Sequence, residues 1–181
     1  LGSVKKKLDR IKGGSSFISG NQDDLEKSDK LILPGIGHFA SAVKVLKDKN
    51  LWSFLNEQIL VKKPYDPIAL NNLAWVYQQL GQNDKAQSLA RKAYVLSPGA
   101  QTADTLGWIL TTSGKASVGL TLLRQASVEA QADPRIQYHF GVALKETGAK
   151  DEAKKVLTAV AESKGDFKEK QEAIKVLEQM K

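Results

Sequence analysis

Leu73-Ala74-Trp75-Val76-Tyr77, Leu106-Gly107-Trp108-Ile109-Leu110 and Phe140-Gly141-Val142-Ala143-Leu144 are three versions of one phrase, set 33 and 34 residues apart. Four residues after each comes a glycine (Gly81, Gly114, Gly148), and five residues after that a small residue (Ala86, Gly119, Ala153). Ala93, Ala126 and Val160 follow seven further on, and Pro98 and Pro134 close the first two units. A period in this range marks an array of stacked supersecondary units. A small residue in the middle of each of two antiparallel helices lets their backbones approach, and the large neighbours fill the space around it. The glycine ends the first helix and permits a tight turn. The proline cannot continue the helix before it. The spacing predicts helices near 67–80, 83–96, 101–113, 116–130, 134–146 and 150–163, with a seventh over 167–180.

This spacing resembles the tetratricopeptide repeat over nearly all of 67–163, in units 67–99, 100–133 and 134–163. The wording of the repeats is similar to that of bacterial members. Ala74 stands where glycine is usual, and unit three lacks a closing proline. The last helix, 167–180, sets Ile174, Val176 and Leu177 against Lys168, Lys170, Glu172 and Lys175, as a polar terminal cap requires. The resemblance implies that the first helix of each pair lines a concave face. Its exposed inner positions are then Asn71, Trp75, Gln78, Asp104, Trp108, Arg135, Tyr138 and Lys145, a candidate groove for a peptide. Trp75 and Trp108 are either anchors for that peptide or side chains packed on the neighbouring repeat. They also stand where a clamp for a terminal carboxylate would need polar donors, so no such ligand is expected.

Residues 1–64 follow another rule. Short strands are expected over 15–19 and 30–33, and helices near the start of the chain, from 38 to 49 and from 51 to 60. Alternation of this kind implies parallel strands with crossovers. The change of rule falls at Lys62-Lys63-Pro64-Tyr65-Asp66-Pro67. Leu31-Ile32-Leu33-Pro34-Gly35-Ile36-Gly37-His38-Phe39 resembles the glutamine amidotransferase subunit of imidazole glycerol phosphate synthase, and the likeness runs over 1–64. It implies a truncated, flavodoxin-like α/β fragment with two short parallel strands. It also implies that Pro34, Gly35, Ile36 and Gly37 form the loop whose backbone N–H groups would stabilise an oxyanion. In that family a strand bearing a nucleophilic cysteine should begin straight after Pro64. The chain turns instead into the repeats, and it has no cysteine at all. The loop is therefore read as vestigial, with nothing to stabilise. His38 is a feature of the resemblance rather than a base with a partner, and His139 is expected to be an ordinary histidine of a repeat helix.

The fold class expected is mainly α: a solenoid of three helix pairs plus a capping helix over 65–181, fused to the α/β fragment over 1–64. Residues 1–64 carry 12 Lys+Arg against 7 Asp+Glu, and the remainder 15 against 13. The basic residues are spread along faces that also carry acids, which reads as solvated surface and argues against nucleic acid as a partner. No apolar run approaches the about 18 residues of a membrane span, so no membrane is expected, and none of the sequence suggests a cofactor or metal. The chain begins with Leu1 rather than Met, which reads as a processed product or part of an engineered chain; a cytoplasmic location as expressed is the expectation. Three functions fit. The first is a recombined or artificial chimera, non-catalytic and without evolved activity, whose repeat half is of a protein-interaction type. The second is a natural scaffold binding a peptide or protein in its groove. The third is an amidotransferase subunit lacking its nucleophile. Two strands alone make no stable sheet, so self-association through the strands of the first half is expected as well.

Overall fold

Asp66 and Pro67 begin the first helix of the repeat array. In the computed structural model the Asp66 carboxylate accepts a hydrogen bond from the Ala69 N–H at 2.9 Å, and Pro67 occupies the first turn, where no N–H is needed. The chain divides into two units, Leu1–Lys62 and Lys63–Lys181. The structure describes residues 64–180, with Lys27 and Leu60 besides. The α/β fragment, its two strands, the loop from Pro34 to Gly37, His38 and the self-association expected through the strands all lie outside the described residues.

Seven α-helices are present among the described residues, and no strand. They are α1 (Pro67–Gln79), α2 (Asn83–Leu96), α3 (Ala100–Thr112), α4 (Ala116–Glu129), α5 (Pro134–Glu146), α6 (Lys150–Glu162) and α7 (Lys168–Gln179). Each boundary falls within a residue or two of the one the repeat phrase predicts. The turns explain why. Gly81, Gly114 and Gly148 have φ of 72°, 80° and 87°, a left-handed conformation that side chains resist. Asp133 repeats the device of Asp66: it accepts from Arg135 N at 3.0 Å and Ile136 N at 3.3 Å, with Pro134 next in sequence.

Consecutive helices pack in pairs, and the first helices also touch one another in order: α1 with α3, α3 with α5, α5 with α7. The small residues sit at the crossings. A Cβ on Gly119 would lie 2.5 Å from the Gly107 carbonyl oxygen, and one on Gly107 would lie 2.7 Å from Leu123 Cγ. The α3–α4 pair therefore admits no side chain at either place. Ala74, Ala86 and Ala153, at the corresponding positions of the other pairs, are fully buried. Around them close Leu70, Leu73, Leu106, Ile109, Leu110, Leu123, Ile136, Leu144 and Leu157. Each such side chain contributes about 1.5–3 kcal/mol relative to exposure. At the far end α7 buries Ala173 against Tyr138, Leu157 and Val160; Lys168 and Lys175 stay in solvent, and Lys170 donates to the Ser163 carbonyl at 2.8 Å.

Candidate functional site on the inner helices

The inner helices α1, α3 and α5 are poor in charge; they carry Asp104, Arg135, Lys145 and Glu146, besides His139. Corresponding positions fall a repeat apart: Ile68, Gln101 and Arg135; Asn71, Asp104 and Tyr138; Asn72, Thr105 and His139; Trp75, Trp108 and Val142. Residues on neighbouring first helices meet along these rows and across adjacent ones.

The densest meeting is between α3 and α5. His139 Nδ1 lies 2.7 Å from Asp104 Oδ1, and both side chains are buried. The carboxylate oxygen accepts, so Nδ1 carries the proton. The other oxygen, Asp104 Oδ2, is sealed from water and has no hydrogen bond; Arg135 Nη2 approaches it to 3.7 Å. Arg135 also donates to Gln101 Oε1 at 2.6 Å. The imidazole of His139 is stacked on Trp108, with ring centroids 4.1 Å apart and planes at 16°. Trp75, from α1, reaches the same imidazole at 5.8 Å. Tyr138 stands 6.0 Å from Trp108 and 5.8 Å from His139. Two indoles, a phenol and an imidazole thus converge from three helices.

The α5–α7 meeting is simpler. The Tyr138 hydroxyl donates to Glu172 Oε2 at 3.2 Å. Burial, and then the nearby Glu172 carboxylate, push the phenol well above its ordinary range. Between α1 and α3, Gln78 Nε2 donates to Thr112 Oγ1 at 3.1 Å. At the opposite, N-terminal ends of these two helices a shallow cleft of about 390 Å³ opens beside Pro67, Ile68, Asn71, Ser97, Gln101 and Thr102.

The eight groove positions expected from the repeat therefore divide. Trp75, Trp108, Arg135 and Lys145 are partly exposed, as are Asn71 and Gln78. Asp104 and Tyr138 are not exposed: Asp104 is fully buried and Tyr138 is 7% exposed. Asp104 holds His139 and lies under Arg135, and Tyr138 is covered by α7. Lys145 pairs with its neighbour Glu146 at 3.0 Å and stands apart from the aromatic cluster. His139, read from sequence as an ordinary repeat histidine, is packed, and it is also the hub of the cluster. One signal could have found the Asp104–His139 pair. Both residues depart from what the other repeats hold at their positions, and they depart on facing helices. Among the described residues no group of three or more His, Cys, Asp or Glu gathers as metal ligands would, and no helix is long and apolar enough to cross a membrane.

Paired antiparallel helices, repeated at a fixed interval and closed by a polar helix, define a helical-repeat interaction fold. A family model described as Tetratricopeptide repeat matches residues 55–88. MamA (41-end) of Desulfovibrio magneticus RS-1 superposes with a TM-score of 0.60 at 18% identity, over 81% of this chain and 85% of that one. YrrB, a TPR protein with an unusual peptide-binding site, gives 0.55 at 21% identity, over 68% of this chain and 64% of that one. A second likeness is of another kind. Imidazole glycerol phosphate synthase subunit HisH 1 of Campylobacter jejuni is 48% identical over 63 residues, 35% of this chain and 31% of the relative. The chain thus spans about a third of the length of that curated relative. It joins tetratricopeptide-type repeats to a stretch resembling part of HisH.

Proposed function

We propose that the repeat half is a non-catalytic scaffold that holds an extended segment of a peptide or protein along the inner helices α1, α3 and α5. The observation that carries this reading is the gathering of the partly exposed Trp75 and Trp108 over the buried His139 and Tyr138, on a face that also carries Asn71, Gln78 and Arg135. Aromatic side chains anchor peptides with little loss of conformational freedom, and amides satisfy an extended backbone. The peptide-binding site of YrrB supports the same reading by analogy of fold. Selection from a randomised peptide library on the full chain tests it. Binders should emerge, and Trp108→Ala should weaken them about tenfold or more, the loss of a buried aromatic anchor. Binders indifferent to both Trp108→Ala and Trp75→Ala would place the site elsewhere.

A second reading concerns origin. Partial likeness to HisH beside tetratricopeptide repeats supports a recombined or artificial chimera, in which the N-terminal unit is an α/β fragment with no activity of its own. A single natural reading frame encoding both parts would remove it. On either origin a glutaminase assay should give no ammonia above a blank, because the chain supplies no cysteine nucleophile. Self-association through strands of the first half rests on sequence alone; a strict monomer in sedimentation at high concentration would end it.

A further inference from the structure

Trp75 and Trp108 occupy the same row on adjacent inner helices, one repeat apart. Both are partly exposed, and both lean on one imidazole, that of His139, at 5.8 and 4.1 Å between ring centroids. The imidazole covers one face of Trp108 in a near-parallel stack and so fixes the tilt of that indole. Helix α1 touches α3 directly, and helices packed in this way have axes about 8–10 Å apart. Among the described residues neither indole N–H donates a hydrogen bond, and neither nitrogen is an unpartnered atom sealed from solvent. Two donors are therefore open to a ligand. The side-chain acceptors around them are engaged: Gln78 Oε1 by Gln79, Thr112 Oγ1 by Gln78, Asp104 Oδ1 by His139 and Gln101 Oε1 by Arg135. Charge is missing as well. Helix α1 contains no charged residue, and Asp104, the sole one of α3, is fully buried.

We propose that the two indoles form a docking site for an uncharged, proline-rich segment in the polyproline II conformation, crossing from α1 to α3; this rests on the groove reading above. Three features select that occupant. The first is spacing. The conformation has three residues per turn and rises about 3.1 Å per residue, so prolines three apart present the same face about 9 Å on, one helix-to-helix interval. The second is hydrogen bonding. An ordinary extended peptide brings an N–H with each carbonyl, and the acceptors nearest the indoles are taken. Proline has no N–H, and a polyproline II segment makes no internal hydrogen bonds, so its carbonyls are free to accept from the indoles. The third is charge. A charged side chain laid across α1 and α3 would lose water and gain no partner. The nearest cations, Arg135 and Lys145, already face Asp104 and Asp133 and Glu146, respectively. Pyrrolidine rings, by contrast, suit an aromatic shelf, and their stiff backbone gives up little freedom on docking.

The test uses the full chain and a short labelled peptide with blocked ends, two prolines three residues apart in an alanine-serine frame, followed by fluorescence anisotropy. Moving one proline by a single residue should weaken binding about tenfold, because one ring then leaves its indole. Replacing both prolines by alanine should abolish binding. A glutamate or a lysine placed between the prolines should weaken it several-fold, whichever the sign of the charge. Trp108→Phe keeps a ring and removes the N–H, and should weaken the parent peptide several-fold. These peptide changes need no variant protein, so misfolding cannot obscure them. Binding indifferent to the spacing of the prolines, or no binding of the parent peptide, overturns the proposal. Library binders that depend on Trp108 but carry no proline leave the groove standing and remove this occupant, and a library that yields no binder removes both.

Discussion

The α3–α5 and α5–α7 junctions solve the same geometric problem with opposite chemistry. Each links first helices of successive units through side chains about one repeat apart. At α5–α7 a phenol donates to a partly exposed carboxylate, Glu172, and the phenol ring joins the apolar cluster that α7 closes. At α3–α5 a buried carboxylate holds a buried imidazole, one carboxylate oxygen is left without a hydrogen bond, and two indoles gather over the ring. The first junction is complete as it stands. The second is polar where packing alone would prefer leucine, and its unpaired carboxylate oxygen is sealed beneath the face proposed to bind.

The largest expected effect comes from breaking the α3–α5 pair on one side. His139→Ala leaves the Asp104 carboxylate buried without its donor and should cost about 3 kcal/mol in urea unfolding. The double change Asp104→Leu with His139→Phe removes both polar partners and should lie within about 1 kcal/mol of the parent chain. A double variant as unstable as His139→Ala would mean that the pair supports the fold rather than standing apart from it.

At the α5–α7 junction Tyr138→Phe removes one hydrogen bond and no ring, for about 1 kcal/mol at neutral pH. Its pH dependence has a definite sign. The folded-state phenol titrates above its ordinary value of 10.0, because burial and then Glu172 disfavour the phenolate. Above that ordinary value the unfolded chain gives up the proton while the folded chain keeps it, so Tyr138 contributes stability that is fully present below it and is lost as pH rises toward the folded value. Unfolding midpoints measured at rising alkaline pH should fall more steeply for the parent chain than for Tyr138→Phe. Parallel curves would show that the Tyr138 environment is looser than its contacts imply.

The smallest effect belongs to the outer helices. Arg124 and Glu152 form a two-pronged pair at 2.7 and 3.1 Å between α4 and α6, well exposed to solvent. Glu152→Gln should cost about 0.5 kcal/mol or less, and less still in high salt. The hydrogen bond from Arg124 holds the Glu152 carboxyl below its ordinary value of 4.5. Any contribution is thus present above pH 4.5 and fades as pH falls through the lower folded value. A loss here comparable to that of His139→Ala would erase the distinction between inner and outer contacts on which the proposed site depends.

Much of the repeat architecture was legible because it rests on local chemistry. Gly81, Gly114 and Gly148 take up positive φ at the places the phrase assigns them. Asp133-Pro134 caps a helix start as its sequence demands. The small residues at 107 and 119 face each other because nothing larger fits. Less of the site could be read. Asp104 and Tyr138 were expected at an exposed groove and are buried, since exposure depends on what the next first helix brings over each position. His139 carried no signal from its own stretch of sequence, and its importance comes from Asp104, 35 residues away.

By itself the sequence determined the period, the helices and their turns, because backbone conformation and one-faced burial are set by residues within a few positions of each other. Only the tertiary structure decided which polar side chains of successive repeats would meet, because a repeat fixes the row a residue occupies while the stacking of first helices selects its neighbour across the rows. Asp104 and His139 stand in adjacent rows, and the packing of α3 against α5 made them partners.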